Sequence, residues 1–292
     1  MFRKCLVVFL FFFTAIFSNA QQSYEYIGFV RINDTVNISY KIALTEHMGK
    51  VKGYSLTGMG GEHETRSIIR GEYYEDKKEL NFRETGIVYT KSPITQDDFC
   101  FINTTIRDFT FKKSDKIKAD FIGLFSDNTK CVNGELMLSP LEKMEAKFDK
   151  VIKKINNSKK VSDSIKEKLS SMKMMDSLNM NILRKDQTLS VFSKSKSVSL
   201  IIYDGGKEDG DKINIKVNDK SLLTHFEATN TQKVINLDLI DGKTSIVINA
   251  VNEGSIAPNT VIVELKDGDN SIKAMSNLKK GEKTQIDFLK IK

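Results

Sequence analysis

The chain has no tryptophan, and only three histidines and three cysteines among its 292 residues. Each shortage removes a class of function. Of the histidines, only His63 stands in a suggestive context, Glu62-His63-Glu64, and it lacks the second histidine at i+4 that a zinc-hydrolase helix needs. Met59-Gly60-Gly61 is not followed by Lys-Ser/Thr, so it is not a phosphate loop, and no Gly-x-Ser-x-Gly elbow occurs. An Arg-rich face is also lacking. Lysines interleave with acids almost everywhere under a formal charge of +7, which gives no track for phosphates and argues against a nucleic-acid partner. No internal repeat or low-complexity tract is present, and the apolar fraction of 40% is that of a globular chain.

What is present begins with a leader. Arg3 and Lys4 precede a wholly apolar run from Leu6 to Phe13, and Ser18-Asn19-Ala20 closes on a small residue. A basic n-region, a short h-region and a small-residue exit read as a signal peptide over residues 1–20, because a membrane span needs about 20 apolar residues. The expectation is an exported protein, periplasmic or extracellular, with no transmembrane segment in the mature chain. Cleavage removes Cys5, which leaves Cys100 and Cys131 for an oxidising compartment, where such a pair reads as one disulfide. The abundance of Lys, Asn and Ile points to a bacterium.

From Tyr24 to Leu138 the chain is written in short alternating runs, such as Val36–Ile42, Lys78–Phe82, Asp108–Lys112 and Lys116–Phe121. Period-two alternation with glycines between runs predicts an antiparallel meander of roughly eight strands, an up-and-down barrel or compact sandwich over residues 21–139. Self-filling is the expectation for such a barrel. With no tryptophan, avidin-like and lipocalin-like assignments lose their signature residues. Ser139-Pro140 ends the pattern. Leu141, Met144, Phe148, Val151 and Ile155 then recur at helical spacing, and Val161, Ile165, Leu169 and Met172 follow after Asn156-Asn157-Ser158. This predicts a short αα-hairpin linker over residues 140–186, with its apolar stripe packed between domains. Strands return over residues 187–292, with Asp-Gly and Lys-Gly turns, as a C-terminal β-sandwich. The predicted fold class is mainly β.

The sharpest polar cluster is Asp204-Gly205-Gly206-Lys207-Glu208-Asp209-Gly210-Asp211. Calcium takes several hard oxygen ligands from a tight turn, so Asp204, Glu208, Asp209 and Asp211 are candidate metal ligands. The same loop also reads as a solvated hairpin with Asp-Gly turn geometry. Asn252 and Asn259 are candidate binding residues, placed to converge with the acids at one end of a sandwich.

The run from Val198 to Asn218, with Tyr203-Asp204, Asp209-Gly210-Asp211, Ile213 and Asn218-Asp219-Lys220, resembles a β-sandwich accessory module of secreted Gram-negative bacterial proteins. Asn249-Ala250-Val251-Asn252-Glu253-Gly254 through Pro258-Asn259-Thr260 resembles the same module's second loop. The resemblance covers about the last 100 residues and is more weakly similar to calcium-dependent carbohydrate-binding modules. It departs at Asp219, where the pattern has glycine, and at Gly206 and Glu208. It implies an accessory module of the envelope or of secreted enzymes.

These readings converge on an exported, non-enzymatic binding or adaptor protein, with polysaccharide or an envelope protein as partner and calcium as the only implied cofactor. The alternative is a structural or assembly protein of the envelope that docks a partner through the helical hairpin. A third reading, a hydrolase, rests on carboxylates such as Glu72 and Glu84.

Overall fold

The computed structural model describes residues 22–33, 35–93, 96–158, 161–162, 180–268 and 270–291. The leader read at residues 1–20 lies outside them. The predicted alternation builds eight strands: β1 (Ser23–Ile32), β2 (Val36–His47), β3 (Lys50–Thr57), β4 (Thr65–Tyr74), β5 (Glu79–Thr90), β6 (Phe101–Ile106), β7 (Ile117–Leu124) and β8 (Lys130–Pro140). Their order β5-β4-β3-β2-β1-β8-β7-β6 closes through an additional β5–β6 pairing, so the strands form an antiparallel barrel. Closure removes the unpaired edges of a meander. Alternate residues, among them Tyr26, Tyr40, Ile42, Leu44, Ile69, Leu80, Phe82, Phe121 and Leu136, fill the interior.

An acidic side chain, Glu84, belongs to that interior. Glu84 is 3% exposed and accepts from the Tyr40 hydroxyl (2.9 Å), the Ser55 hydroxyl (2.5 Å) and the Ile102 backbone N–H (2.9 Å). Burial raises its pKa above the ordinary carboxylate value, and the three donors offset part of that shift. Glu72 and Glu84 do not come together. Glu84 points inward, whereas Glu72 lies at the surface, bonded to Lys50 (2.5 Å) and Tyr74.

The run Asp108–Lys112, read as a strand, is a plug. Asp108 has φ +53, which bends the chain, and Phe109 N–H donates to the Lys78 carbonyl at 2.8 Å. Phe109 and Phe111 stack edge-on at 4.9 Å and meet Tyr24, Tyr26 and Tyr73, closing one end of the barrel with aromatic surface. Alternation here serves two rings on one cluster instead of two faces of a sheet.

The helical hairpin requires correction. Among the described residues there is one helix, α1 (Leu141–Asn156), and nearly all of the second run falls outside them. The chain leaves α1 through Asn157 and Ser158, whose N–H groups bond to Lys153 and Ile155. Only Leu141 of the helix is buried, and Val151 is 50% exposed. Helical periodicity defines a face that can be buried, and it does not by itself supply the element that buries it.

Nor are the two β units joined by a linker alone. The sandwich has one sheet of β14 (Lys233–Asp238), β11 (Ser197–Asp204), β16 (Val261–Asp267), β17 (Asn270–Ser276) and β9 (Asn181–Leu183). The other comprises β13 (Lys220–Glu227), β12 (Lys212–Val217), β15 (Lys243–Ala250), β18 (Lys283–Lys290) and β10 (Thr188–Ser193). Strand β10 pairs with β5 through Ser190–Thr90 and Val191–Tyr89, so this second sheet continues into the barrel wall. Leu56, Val88 and Tyr89 of the barrel share a core with Leu189, Leu200, Ile246 and Phe288 of the sandwich. The alternation on β5 breaks at Thr85 and Val88, where register shifts let one strand serve both cores.

Candidate functional site

Three loops meet at one end of the sandwich. The first leaves β11 at Asp204 and enters β12 after Asp211; the second follows β15 through Asn252; the third leads into β16 through Asn259. Because β11 pairs with β16 and β12 with β15, the antiparallel registers bring all three to the same rim. The candidate residues therefore do converge.

Each acid ties down backbone. Asp204 Oδ1 accepts from Gly206 N–H at 2.8 Å, and Glu208 Oε1 from Asn230 N–H at 2.5 Å. Asp209 Oδ2 accepts from Ile256 N–H at 3.1 Å, and Asp211 Oδ2 from Thr260 N–H at 2.7 Å. Asn230, with its amide nitrogen turned inward, donates to the carbonyls of Asp204 (2.9 Å) and Gly206 (3.2 Å). Asn252 accepts from Lys212 N–H at 2.6 Å and donates to the Gly210 carbonyl at 2.8 Å. Asn259 is fully buried; it donates to the carbonyls of Lys212 and Asn252, both at 3.3 Å, and accepts from Ser276 at 3.0 Å. These two asparagines are spent on holding the loops together. Before Pro258 the peptide is cis.

Asp219 sits in a tight turn. Asn218 and Asp219 have φ +46 and +66 in the two-residue turn between β12 and β13, a left-handed pair that Asn and Asp tolerate.

What remains is charge without a partner. Asp209 Oδ1 and Asp211 Oδ1 are buried and bond to nothing. Asp211 is 1% exposed, and its pKa is raised, first by burial and then by the neighbouring charges of Asp209 and Asp204. An ionised carboxylate in that position needs a proton or a cation. Among the described residues, no three side chains of His, Cys, Asp or Glu form a metal-binding group. The buried side-chain oxygens of the four acids left without a partner at this rim are Asp209 Oδ1 and Asp211 Oδ1, both hard donors of the kind oxygen-binding cations prefer.

The rim is tightly built. Gly254 has φ +58, and a Cβ there would lie 2.5 Å from Asp209 Oδ1. Gly254→Ala is expected to lower stability by about 2 kcal/mol through strain and collision, read as a lower urea midpoint.

Sequence reading missed a second constellation, on the barrel. Lys52, Arg70 and Arg83 stand opposite one another across β3, β4 and β5, and Asn103 of β6 continues the row. They are spread over more than thirty residues of chain, so only the strand register could have revealed them. In comparisons with known proteins, no family model matches this chain, and no curated protein and no solved structure matches it.

Proposed function

We propose that this chain is an exported, non-enzymatic binding or adaptor protein of the bacterial envelope or extracellular space, whose sandwich rim holds calcium and, through it, a glycan. The observation that carries the reading is the pair of buried, unpartnered oxygens, Asp209 Oδ1 and Asp211 Oδ1. Supporting it are the leader pattern of the first twenty residues, the Cys100–Cys131 disulfide and the resemblance of the last 100 residues to accessory modules of secreted proteins.

Calcium neutralises the two carboxylates and fixes the loops around them. A ligand that binds only the folded state at 100 times its Kd stabilises by about 2.7 kcal/mol, so millimolar calcium raises Tm by several degrees and chelation reverses the gain. Asp211→Asn keeps an acceptor for Thr260 N–H while removing the charge. This variant is expected to fold and to lose the calcium shift, together with calcium-dependent retention on immobilised polysaccharide. An equal calcium shift in wild type and Asp211→Asn would sink the reading. Because calcium must displace the proton that burial favours on Asp211, the shift shrinks as pH falls below the raised pKa.

A further inference from the structure

The outer face of the barrel carries a second polar constellation, apart from the acidic loop of the sandwich. Along β5, Leu80, Phe82 and Glu84 point inward, so Asn81 and Arg83 point out. Pairing of β5 with β6 covers only Leu80–Arg83, after which β5 leaves to join β10 of the sandwich. Over the outer face of this paired stretch and its neighbours lies a groove of about 900 Å3 spanning β4 to β7, lined among others by Arg70, Arg83, Arg107, Lys118, Asn103 and Asp120.

Two of its cations, Arg70 and Arg83, continue a row of like charges that begins at Lys52, outside the groove lining. Lys52 faces Arg70 and Arg70 faces Arg83 in direct cross-strand register, and like charges so placed repel. Three nearby acids are committed to other partners: Glu72 to Lys50 and Tyr74, Glu135 to Lys118 at 2.9 Å, Glu79 to Arg107 at 4.0 Å; Asp108 and Asp120 also line the groove. Among the described residues, no carboxylate forms an ion pair with Lys52, Arg70 or Arg83. Arg83 donates from Nη2 to Asn128 at 2.7 Å, yet its Nε is buried with no acceptor. Arg70 and Arg83 thus face the groove without a carboxylate partner, and Arg83 keeps a guanidinium N–H without an acceptor, an arrangement that an anion would satisfy.

We infer that this groove binds an anionic polysaccharide, with uronate or sulfate groups on Arg70 and Arg83. Asp108 and Asp120 interrupt the positive charge, which disfavours a densely charged polyphosphate and accepts hydrogen bonds from sugar hydroxyls. Asn81, Asn103 and Thr105 supply further donors and acceptors, and Ile122, 44% exposed, offers an apolar contact for a sugar ring face. An acidic polypeptide has few hydroxyls to meet those carboxylates.

The test is calorimetric titration of the full mature protein with polygalacturonate, dextran sulfate, poly-glutamate and neutral dextran, in EDTA so that the acidic rim of the sandwich holds no divalent cation. Binding of one or both charged polymers, weakened by salt and absent for dextran, is the expected result, and the two arms separate carboxylate from sulfate recognition. Arg70→Gln, at an exposed position, is expected to weaken binding about tenfold while leaving Tm unchanged or raised, because it relieves repulsion. Three results overturn the inference. They are no binding of either charged polysaccharide, equal or tighter binding of poly-glutamate, and an Arg70→Gln affinity equal to that of the wild type, whatever its Tm.

Discussion

Glu84→Ala is expected to destabilise the protein by about 4 kcal/mol, because it strands three buried donors and opens a cavity in the barrel core. The hydroxyls of Tyr40 and Ser55 and the N–H of Ile102 all end on this one carboxyl group, across four strands. Loss of a single acceptor therefore unsatisfies β2, β3 and β6 together. Urea unfolding measures it; a change under 1 kcal/mol would mean that water or a neighbour replaces the carboxyl. The same residue sets a pH dependence. Its folded pKa lies above the ordinary value of 4.5, so the folded chain keeps a proton that the unfolded chain releases. Stability from this group is fully present below about pH 4.5 and declines as pH rises from there through the raised folded pKa. Glu84→Gln, which cannot titrate, removes that decline, and an unaltered pH profile in the variant would contradict the assignment.

Opening the disulfide is expected to lower stability by about 3.5 kcal/mol, the loop entropy of a 31-residue separation. Cys100 precedes β6 and Cys131 lies in β8, so the bond ties together strands that both flank β7. Gly123 of β7 sits beneath it, and any Cβ there would overlap Cys100 Sγ. Urea midpoints with and without reductant, and the Cys100→Ser, Cys131→Ser double variant, give the value directly. Coincident oxidised and reduced curves would show that the bond adds nothing to the native state.

The barrel strands were legible because inward and outward residues alternate over whole runs, as in Val36–Ile42 and Lys116–Phe121. Alternation failed at Asp108–Lys112 because two aromatics spaced by one residue fit a plug as readily as a strand, and φ at Asp108 is not written in the residue type. Helical spacing after Pro140 placed α1 correctly and overstated its packing, since an amphipathic stripe carries no information about its cover. Of the candidate site, the acidic loop was visible because its acids are contiguous. The partners Ile256 and Thr260, and the distinction between the bonded and the orphaned oxygens of Asp209 and Asp211, emerged only from strand pairing.

Sequence alone determined the period of most barrel strands and the start of α1 after Pro140, because these depend on neighbours within a few residues, and it offered Cys100 and Cys131 as a pair by count alone. Tertiary structure decided what distant strands do to one another: closure of the barrel, the sharing of β5 between two cores and the Lys52-Arg70-Arg83 row. Register is set by the competition of whole faces for burial, and shifting one strand by a single residue would turn that row of cations into the barrel.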